Sequence, residues 1–442
     1  MSAIAVDVGA RYVRIAHISP HGTAELVRLP GAVPGEGLPA PAEPGGTHRT
    51  TALRAAYTAY RDAHGVPDQV VLVVPQRDRA EHARRGADTL TALHGTGRAP
   101  RFRALGTPHA VLALLRHTGT VTAGRYAVCD LGATEARVAV CAVTPGTVAV
   151  TGDARQAPAD GYAAGFDAAL LLSAGLPAEE AQRQALAAVR EADGAALRLD
   201  VMLTQAQSHP DRYHDLAVHQ VAGREITAGA VLRALARLTT CLDQVLDEAS
   251  DDQPRGAAVA VGGAARFLPL VRHLTERQGE SVALPAGVDP ALAAVYGAAL
   301  VAAGRIDPAD RYPYAVCVGT HRTVAGRPRD EELLLSAAGA LEPGGATVFA
   351  EADGQRVRLR TGPEGTAAGR PVRVRVRDTA GRRTAPVQTL LLPDGGEGDR
   401  FHVGVRVAVD GTARLVLQPL GTGAPSEYPL GSLPTDLKEV RS

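Results

Sequence analysis

The sequence of 442 residues has no tryptophan and few other large side chains, with five Phe and two Met. Its core must therefore be built from small aliphatic residues. No excess of charge exists, because 47 Lys and Arg balance 47 Asp and Glu. This balance argues against a dedicated nucleic-acid-binding protein, which usually carries a basic excess. The length predicts two or three domains.

Cysteine and long apolar runs are also scarce. The four cysteines (129, 141, 241 and 317) have neither the spacing of a metal site nor that of a redox motif. No apolar run reaches about 18 residues, so no membrane-spanning helix is predicted. The chain begins with a strand-like run, Ile4 to Val8, and not with a basic and then apolar leader. We therefore expect no signal peptide and a cytoplasmic location.

A ten-residue pattern occurs twice. Residues 7–16 read DVGARYVRIA and residues 130–139 read DLGATEARVA, so Asp, Gly, Ala, Arg and Ala recur in register. In each copy, apolar strand-like runs precede and follow a Gly turn. The pattern predicts two β-hairpins, each with an Asp at the end of its first strand.

Such a hairpin has the features of a phosphate site. Backbone N–H groups in a turn of small residues can surround an anion, and Gly lets a phosphate approach the backbone. The neighbouring Asp can hold a hydrated Mg²⁺. Two hairpins that face each other would hold a polyphosphate between two lobes. The alternative is that each D-x-G is only a turn signal.

The rest of the chain divides by its periodicity. Strand and helix patterns alternate through residues 1–305, which predicts an α/β region. Within it, Gly262 and Gly263 lie between a strand and a helix, where they can contact a purine and a phosphate. After a linker at 306–312 the period becomes two, with Val372, Val374 and Val376 alternating with arginines. This predicts an antiparallel β-domain at 313–430 and a tail at 431–442. The arginine faces either receive an acidic partner or are solvated.

These elements resemble, in their order, the actin, sugar-kinase and heat-shock-70 superfamily. IAVDVGARYVRIAHI resembles its phosphate-1 motif, AVCDLGATEARVAV its phosphate-2 motif, and AVAVGGAARFLPLV its adenosine motif. DPALAAVYGAALVAA is similar to the closing helix of heat-shock-70 nucleotide-binding domains, and Gly165-Phe166-Asp167 resembles a short element after phosphate-2. The resemblance covers about residues 3–305. The β-domain resembles, more weakly, the peptide-binding β-sandwich of those chaperones.

The resemblance implies an α/β, two-lobed, actin-like (duplicated ribonuclease-H-like) domain, with lobe I at about 1–124 and lobe II at about 125–305. It implies ATP or ADP with Mg²⁺ as the cofactor. Asp7 and Asp130 would be catalytic and, together with Asp167, would hold Mg²⁺ through water. The residues expected to contact the nucleotide are Gly9, Ala10, Arg11, Tyr12, Gly132, Ala133, Thr134, Gly262, Gly263, Ala264 and Arg266.

The sequence departs from the family where the family hydrolyses ATP. Thr residues of the phosphate-1 turn are replaced by Ala10, Arg11 and Tyr12, and the Gly-Gly-Thr of phosphate-2 by Ala133, Thr134 and Glu135. Thr107 corresponds to the family's catalytic Glu, and the subdomain that carries its catalytic Lys is largely missing. Because phosphoryl transfer depends on positioning and charge stabilisation, we expect hydrolysis to be weak or absent.

Three functional hypotheses follow. The first is a heat-shock-70-like chaperone, or a peptide- or protein-binding protein, that binds ATP and holds its partner through the β-domain. The second is a pseudo-ATPase scaffold that binds no nucleotide and holds a partner in the same way. The third is a small-molecule kinase of the same superfamily. None of them requires nucleic acid or a membrane.

Overall fold

The computed structural model is a mixed α/β protein that divides into two compact units. Unit 1 comprises Met1–Arg77, Leu105–Val143 and Gly152–Pro308, and unit 2 comprises Asp78–Ala104, Thr144–Thr151 and Ala309–Ser442. The structure describes residues 2–40, 48–191, 195–250, 256–324, 327–360, 370–378, 381, 383–392, 400–408, 411–434 and 437.

The first sheet is formed by the N-terminal part of the chain. Its elements are β1 (Ala3–Val8), β2 (Tyr12–Ile18), β3 (Ala24–Leu26), β4 (Leu38–Pro39), α1 (His48–His64), β5 (Gln69–Val74), α2 (Arg79–His94), β6 (Arg101–Gly106) and α3 (Thr107–His117). The strand order is β3-β2-β1-β5-β6, with β4 beside β2. Strands β1, β2 and β3 pair antiparallel, and β5 returns parallel to β1. The part of this region that belongs to unit 1 is called the N-terminal half of unit 1.

The second sheet repeats this arrangement. The elements of this part of the chain are β7 (Gly124–Leu131), β8 (Ala136–Val143), β9 (Val148–Gln156), α4 (Ala163–Ser173), α5 (Glu180–Glu191), α6 (Ala195–Ser208), α7 (Pro210–Tyr213), β10 (Ala217–Val221), β11 (Arg224–Thr227), α8 (Ala228–Ser250), β12 (Ala257–Val261), α9 (Leu268–Gln278) and α10 (Ala293–Ala302). Strands β10 and β11 pair with each other in a separate two-stranded sheet. The strand order is β9-β8-β7-β12. As in the first sheet, a hairpin is followed, after helices, by a strand parallel to the first. The residues from β7 to α9 that belong to unit 1 are called the C-terminal half of unit 1.

Helix α8 shows how local sequence builds the C-terminal half. The Thr227 hydroxyl accepts a hydrogen bond from the backbone N–H of Ala230 at 3.3 Å, which caps the start of the helix. Leu235, Leu238 and Leu242 recur at helical spacing and are buried in the core of this half. The apolar stripe therefore holds α8 on the sheet.

Helix α10 follows the C-terminal half in sequence but contacts α3, β1, β2 and β5 of the first sheet region. Gly297 makes this packing possible, because a Cβ atom there would lie 1.8 Å from the carbonyl oxygen of Ala110. The small side chains predicted for this helix therefore bring it close to its neighbours.

The described residues of unit 2 form two larger antiparallel sheets around one hydrophobic core, together with a short two-stranded pair. Its C-terminal strands are β13 (Ala315–Val324), β14 (Arg327–Ser336), β15 (Val348–Phe349), β16 (Glu351–Ala352), β17 (Gln355–Arg356), β18 (Arg358–Arg360), β19 (Arg370–Arg377), β20 (Thr384–Leu392), β21 (Arg400–Val407), β22 (Thr412–Pro419) and β23 (Ser426–Ser432). One larger sheet has the order β14-β13-β19-β20 and the other β15-β21-β22-β23, with β18 beside β21, and β16 and β17 form the short pair. Val374 and Val376 of the first sheet and Val405 and Leu415 of the second share the core. The predicted alternation is seen in β19, where Arg373 and Arg375 are exposed.

The borders of unit 2 differ from those read from the sequence. Residues 78–104 belong to it, and Arg79 of α2 donates hydrogen bonds to Asp310, one of them at 2.9 Å. Asp310 is buried although it lies in the predicted linker. Strand β23 continues to Ser432, and Leu433 and Leu437 join the core, so part of the predicted tail is packed. Asp410, which together with Gly411 has the sequence of a hairpin turn, lies outside the described residues.

None of the helices in the described part of the chain has both the length and the apolar character that crossing a membrane requires.

Candidate functional site

The two predicted hairpins are present and match residue by residue. Asp7 lies opposite Arg14 in the β1–β2 pair, and Asp130 lies opposite Arg137 in the β7–β8 pair. The parallel neighbours also correspond, because β5 places Val73 beside Asp7 and β12 places Val261 beside Asp130. The sequence repeat is therefore a structural repeat that includes the strand pairing.

The turns of the two hairpins have the same hydrogen bond. The backbone N–H of Gly9 donates to the carbonyl of Tyr12 at 3.0 Å, and that of Gly132 donates to the carbonyl of Glu135 at 3.0 Å. A Cβ atom on Gly9 would lie 2.9 Å from the Tyr12 oxygen. Glycine is thus needed where the chain reverses tightly.

The Gly262-Gly263 junction lies against the second hairpin. Gly262 has a φ of +88°, and a Cβ atom there would lie 2.6 Å from the carbonyl oxygen of Leu131 and 2.9 Å from Oδ1 of Asp130. Gly263 has open space instead and begins a 3-10 turn that ends at Arg266. The first glycine is required by packing and the second is not.

Every residue that the sequence singled out as catalytic, nucleotide-binding or metal-binding lines one cavity of about 520 Å³ within unit 1. These residues are Asp7, Gly9, Ala10, Arg11, Tyr12, Asp130, Gly132, Ala133, Thr134, Asp167, Gly262, Gly263, Ala264 and Arg266. The volume lies in the range of ordinary small-molecule sites. Small apolar side chains of α5 and α6, including Ala187, Ala188 and Leu199, line the same cavity.

The aspartates at the hairpin ends are surrounded by guanidinium groups. Arg14 lies 3.7 Å from Asp7, and Arg49 and Arg137 act electrostatically on both aspartates. Burial nevertheless raises the pKa of Asp7, and it raises the pKa of Asp130 to about 6 against the pull of these cations. Burial and the neighbouring Arg137 lower the pKa of Arg49.

Glu135, in the second turn, is neutralised by its neighbours. Arg137 donates a hydrogen bond to it, and Arg49 and Arg155 each lie 4.0 Å away. The repulsion that Glu135 would exert on an anion in the cavity is therefore weakened by these three cations.

Asp167 and Arg266 are also paired within the chain. Asp167 is 3% exposed and accepts hydrogen bonds from Arg11, at 2.7 Å, and from Arg190. Arg266 donates through Nε to both carboxylate oxygens of Asp289 at 3.0 Å and forms an ion pair with Glu36. Two predicted ligand-binding groups thus have protein partners of opposite charge.

Thr107, which the sequence resemblance aligned with a catalytic Glu, lines the cavity and is buried. Its hydroxyl donates to the carbonyl of Val74 at 3.3 Å. This side chain therefore supplies no carboxylate that could orient a water molecule.

Several charged residues of the cavity were not predicted from the sequence, namely Arg14, Glu36, Arg49, Arg137 and Arg190. For Arg14 and Arg137 a signal existed, because both occupy the recurring Arg of the repeat. Glu36, Arg49 and Arg190 reach the site through tertiary packing and had no comparable signal.

Comparison with known proteins adds no name to this geometry. No protein-family model matches the chain, and none of the curated proteins searched is significantly similar to it.

Proposed function

We propose that unit 1 is a two-lobed, actin-like nucleotide-binding domain of the heat-shock-70 kind, and that its cavity binds ATP or ADP. One observation carries this proposal, namely that two hairpins with identical Asp and Gly placement line a single cavity together with Gly262 and Gly263. Each tight turn presents small residues to the cavity, as phosphate sites require. The apolar residues of α5 and α6 offer a surface for the base.

Hydrolysis is expected to be weak or absent. Thr107 replaces the carboxylate that positions water in the family, and the hairpin aspartates are neighboured by guanidinium groups. Catalysis of phosphoryl transfer needs both a positioned nucleophile and charge stabilisation. Phosphate release from ATP should therefore stay close to the uncatalysed background.

The two-sheet region of unit 2 is proposed to hold a peptide or protein partner. Its support is the resemblance to the chaperone β-sandwich and the exposed arginines of β19, Arg373 and Arg375. In this proposal the nucleotide state of unit 1 governs how the partner is held.

Titration calorimetry with ATP and ADP tests nucleotide binding. We expect micromolar dissociation constants, and we expect Ala188→Trp to weaken binding at least about tenfold by filling the cavity. Ala185→Trp is the matched control, because Ala185 is exposed on the same helix and does not line the cavity. Absence of binding at millimolar nucleotide to a cooperatively folded protein would refute the proposal.

The second candidate is a scaffold that binds no nucleotide. It is favoured by the ion pairs of the cavity, in which Asp167, Glu135 and Arg266 already have partners of opposite charge. A protein that unfolds cooperatively and at the same temperature with and without ATP would support the scaffold.

A further inference from the structure

The nucleotide proposed above is expected, by family resemblance, to bring Mg²⁺, and the side chains of the cavity fit this ion poorly. Mg²⁺ is held by carboxylates and water in octahedral geometry. At a nucleotide site one or two carboxylates are enough, because water and phosphate oxygens supply the other ligands, so the fit depends on the surroundings of Asp7, Asp130 and Asp167. Asp167, expected as a ligand, is buried between Arg11 and Arg190.

The two remaining aspartates face cations already. Arg14 lies across the strand pair from Asp7, and Arg137 lies across from Asp130. Arg49 of α1 lines the same cavity and interacts with both aspartates. A divalent cation placed at these carboxylates would be repelled by three guanidinium groups, because like charges at close range are costly where water is excluded.

The guanidinium groups are not saturated by protein acceptors. The Nε–H groups of Arg14 and Arg137 are buried, and within the described part of the chain neither has an acceptor. Arginine carries five N–H donors in a planar fork that matches phosphate oxygens. Because Arg14 and Arg137 also line the cavity, an anion bound there would lie close to their positive charge while they keep their carboxylate partners.

We propose that the cavity binds the nucleotide phosphates without a divalent cation, and that Arg14, Arg49 and Arg137 supply the positive charge that Mg²⁺ would otherwise bring. This inference rests on the proposed nucleotide binding. It also explains why an Arg recurs in both hairpins: each copy carries its own counter-charge for the phosphates.

The test is titration calorimetry of the full chain with ATP, once in EDTA and once in excess Mg²⁺. We expect binding in EDTA at least as tight as in Mg²⁺, because Mg²⁺ sequesters ATP as a complex that the site does not prefer. Binding that requires Mg²⁺ would overturn this inference and leave the proposed function standing. Absence of binding under both conditions would refute the proposed function itself.

A matched pair of variants tests the arginines. Arg49 and Arg155 both lie 4.0 Å from Glu135 and are 32% and 44% exposed, but only Arg49 lines the cavity. Arg49→Met should weaken ATP binding in EDTA about 10-fold to 100-fold, the loss expected for a charge-assisted hydrogen bond. Arg155→Met should leave the affinity within about twofold. Equal affinities of the two variants would contradict the role given to Arg49.

A direct metal readout keeps the inference testable if a variant does not fold. Mn²⁺ can replace Mg²⁺, and its electron paramagnetic resonance signal falls when a protein binds it. With the wild-type protein and ADP present, we expect a larger Mn²⁺ signal than with ADP alone, because ADP held by the protein without a cation no longer binds Mn²⁺. An additional loss of signal would show a protein-held cation and contradict the proposal.

Discussion

The two hairpins of unit 1 agree in their strands and differ in their turns. Each places an Asp opposite an Arg and closes with the same Gly hydrogen bond. The first turn, however, carries Arg11, which reaches Asp167 of the C-terminal half at 2.7 Å. The second turn carries Glu135, which lies 4.0 Å from Arg49 of the N-terminal half.

This difference separates two roles. Each half of unit 1 contributes one Asp and one Arg of the repeat to the charged lining of the cavity. The diverged turn residues form ion pairs of opposite polarity between the halves. The turns thus differ in the ion pair that each forms with the other half, whereas the strands place the same Asp and Arg at the cavity.

The largest expected effect comes from removing either recurring arginine. Arg14→Met or Arg137→Met should lower the free energy of unfolding by about 3–5 kcal/mol, because each removes the cation closest to a largely buried carboxylate, Asp7 or Glu135. Urea denaturation measures this change. Similar losses of unfolding free energy would support the equivalence of the two hairpins. A loss in only one variant would show that the recurring arginines do not contribute equally to stability.

The second prediction concerns pH and the second hairpin. Asp130 has a folded-state pKa raised to about 6, so between about pH 4 and pH 6 the native state binds more protons than the unfolded state. Its contribution to stability is therefore largest at acidic pH and falls as pH rises through about 6, by at most about 3 kcal/mol.

The difference between wild-type and Asp130→Asn isolates this contribution, because the amide does not titrate. We expect the wild-type protein to lose stability relative to the variant as pH rises from about 4 to about 7. A pH-independent difference in thermal or urea unfolding would contradict the raised pKa.

A smaller effect on the free energy of unfolding is expected from Gly262. In the parallel strand beside each hairpin, Val73 pairs with Asp7 and Val261 with Asp130. The next residue is Val74 in the first copy and Gly262 in the second, so the copies differ here. Gly262→Ala should cost about 2 kcal/mol, because its φ of +88° and the 2.6 Å approach to Leu131 exclude a Cβ atom.

Gly263→Ala is the matched control for this substitution, since nothing lies within 4 Å of its Cβ position. The control should change the unfolding free energy by less than about 0.5 kcal/mol. Equal effects of the two substitutions would mean that the close approach of Gly262 to the second hairpin is not maintained in solution.

The smallest effect is expected from removing the charge of the second turn. Glu135→Gln should tighten ATP binding about tenfold, or about 1.4 kcal/mol, because it removes a negative charge from the cavity and frees Arg137 and Arg49. Calorimetry in EDTA measures this change. Weaker binding by the variant would show that Glu135 holds the arginines in place for the ligand.

Part of the site could be predicted because its signals are local. An Asp at the end of an apolar strand and a Gly in the next turn can be recognised within ten residues. Because the same pattern occurs at Asp7 and again at Asp130, the two copies support each other as site residues. The ion-pair partners could not be predicted in this way. Arg11 and Asp167 are 156 residues apart, and no periodicity relates them.

The two hairpins, their tight glycine turns, the repeat and the main helices could be read from the sequence, because these depend on side-chain periodicity and backbone conformation within short segments. The folded chain was needed to show that residues 78–104 belong to unit 2, that Asp167 is held between two arginines, and that Arg49 acts electrostatically on both aspartates. Such pairings depend on which surfaces the packed core brings together, and the free energy of a charge depends on its burial and its neighbours in space.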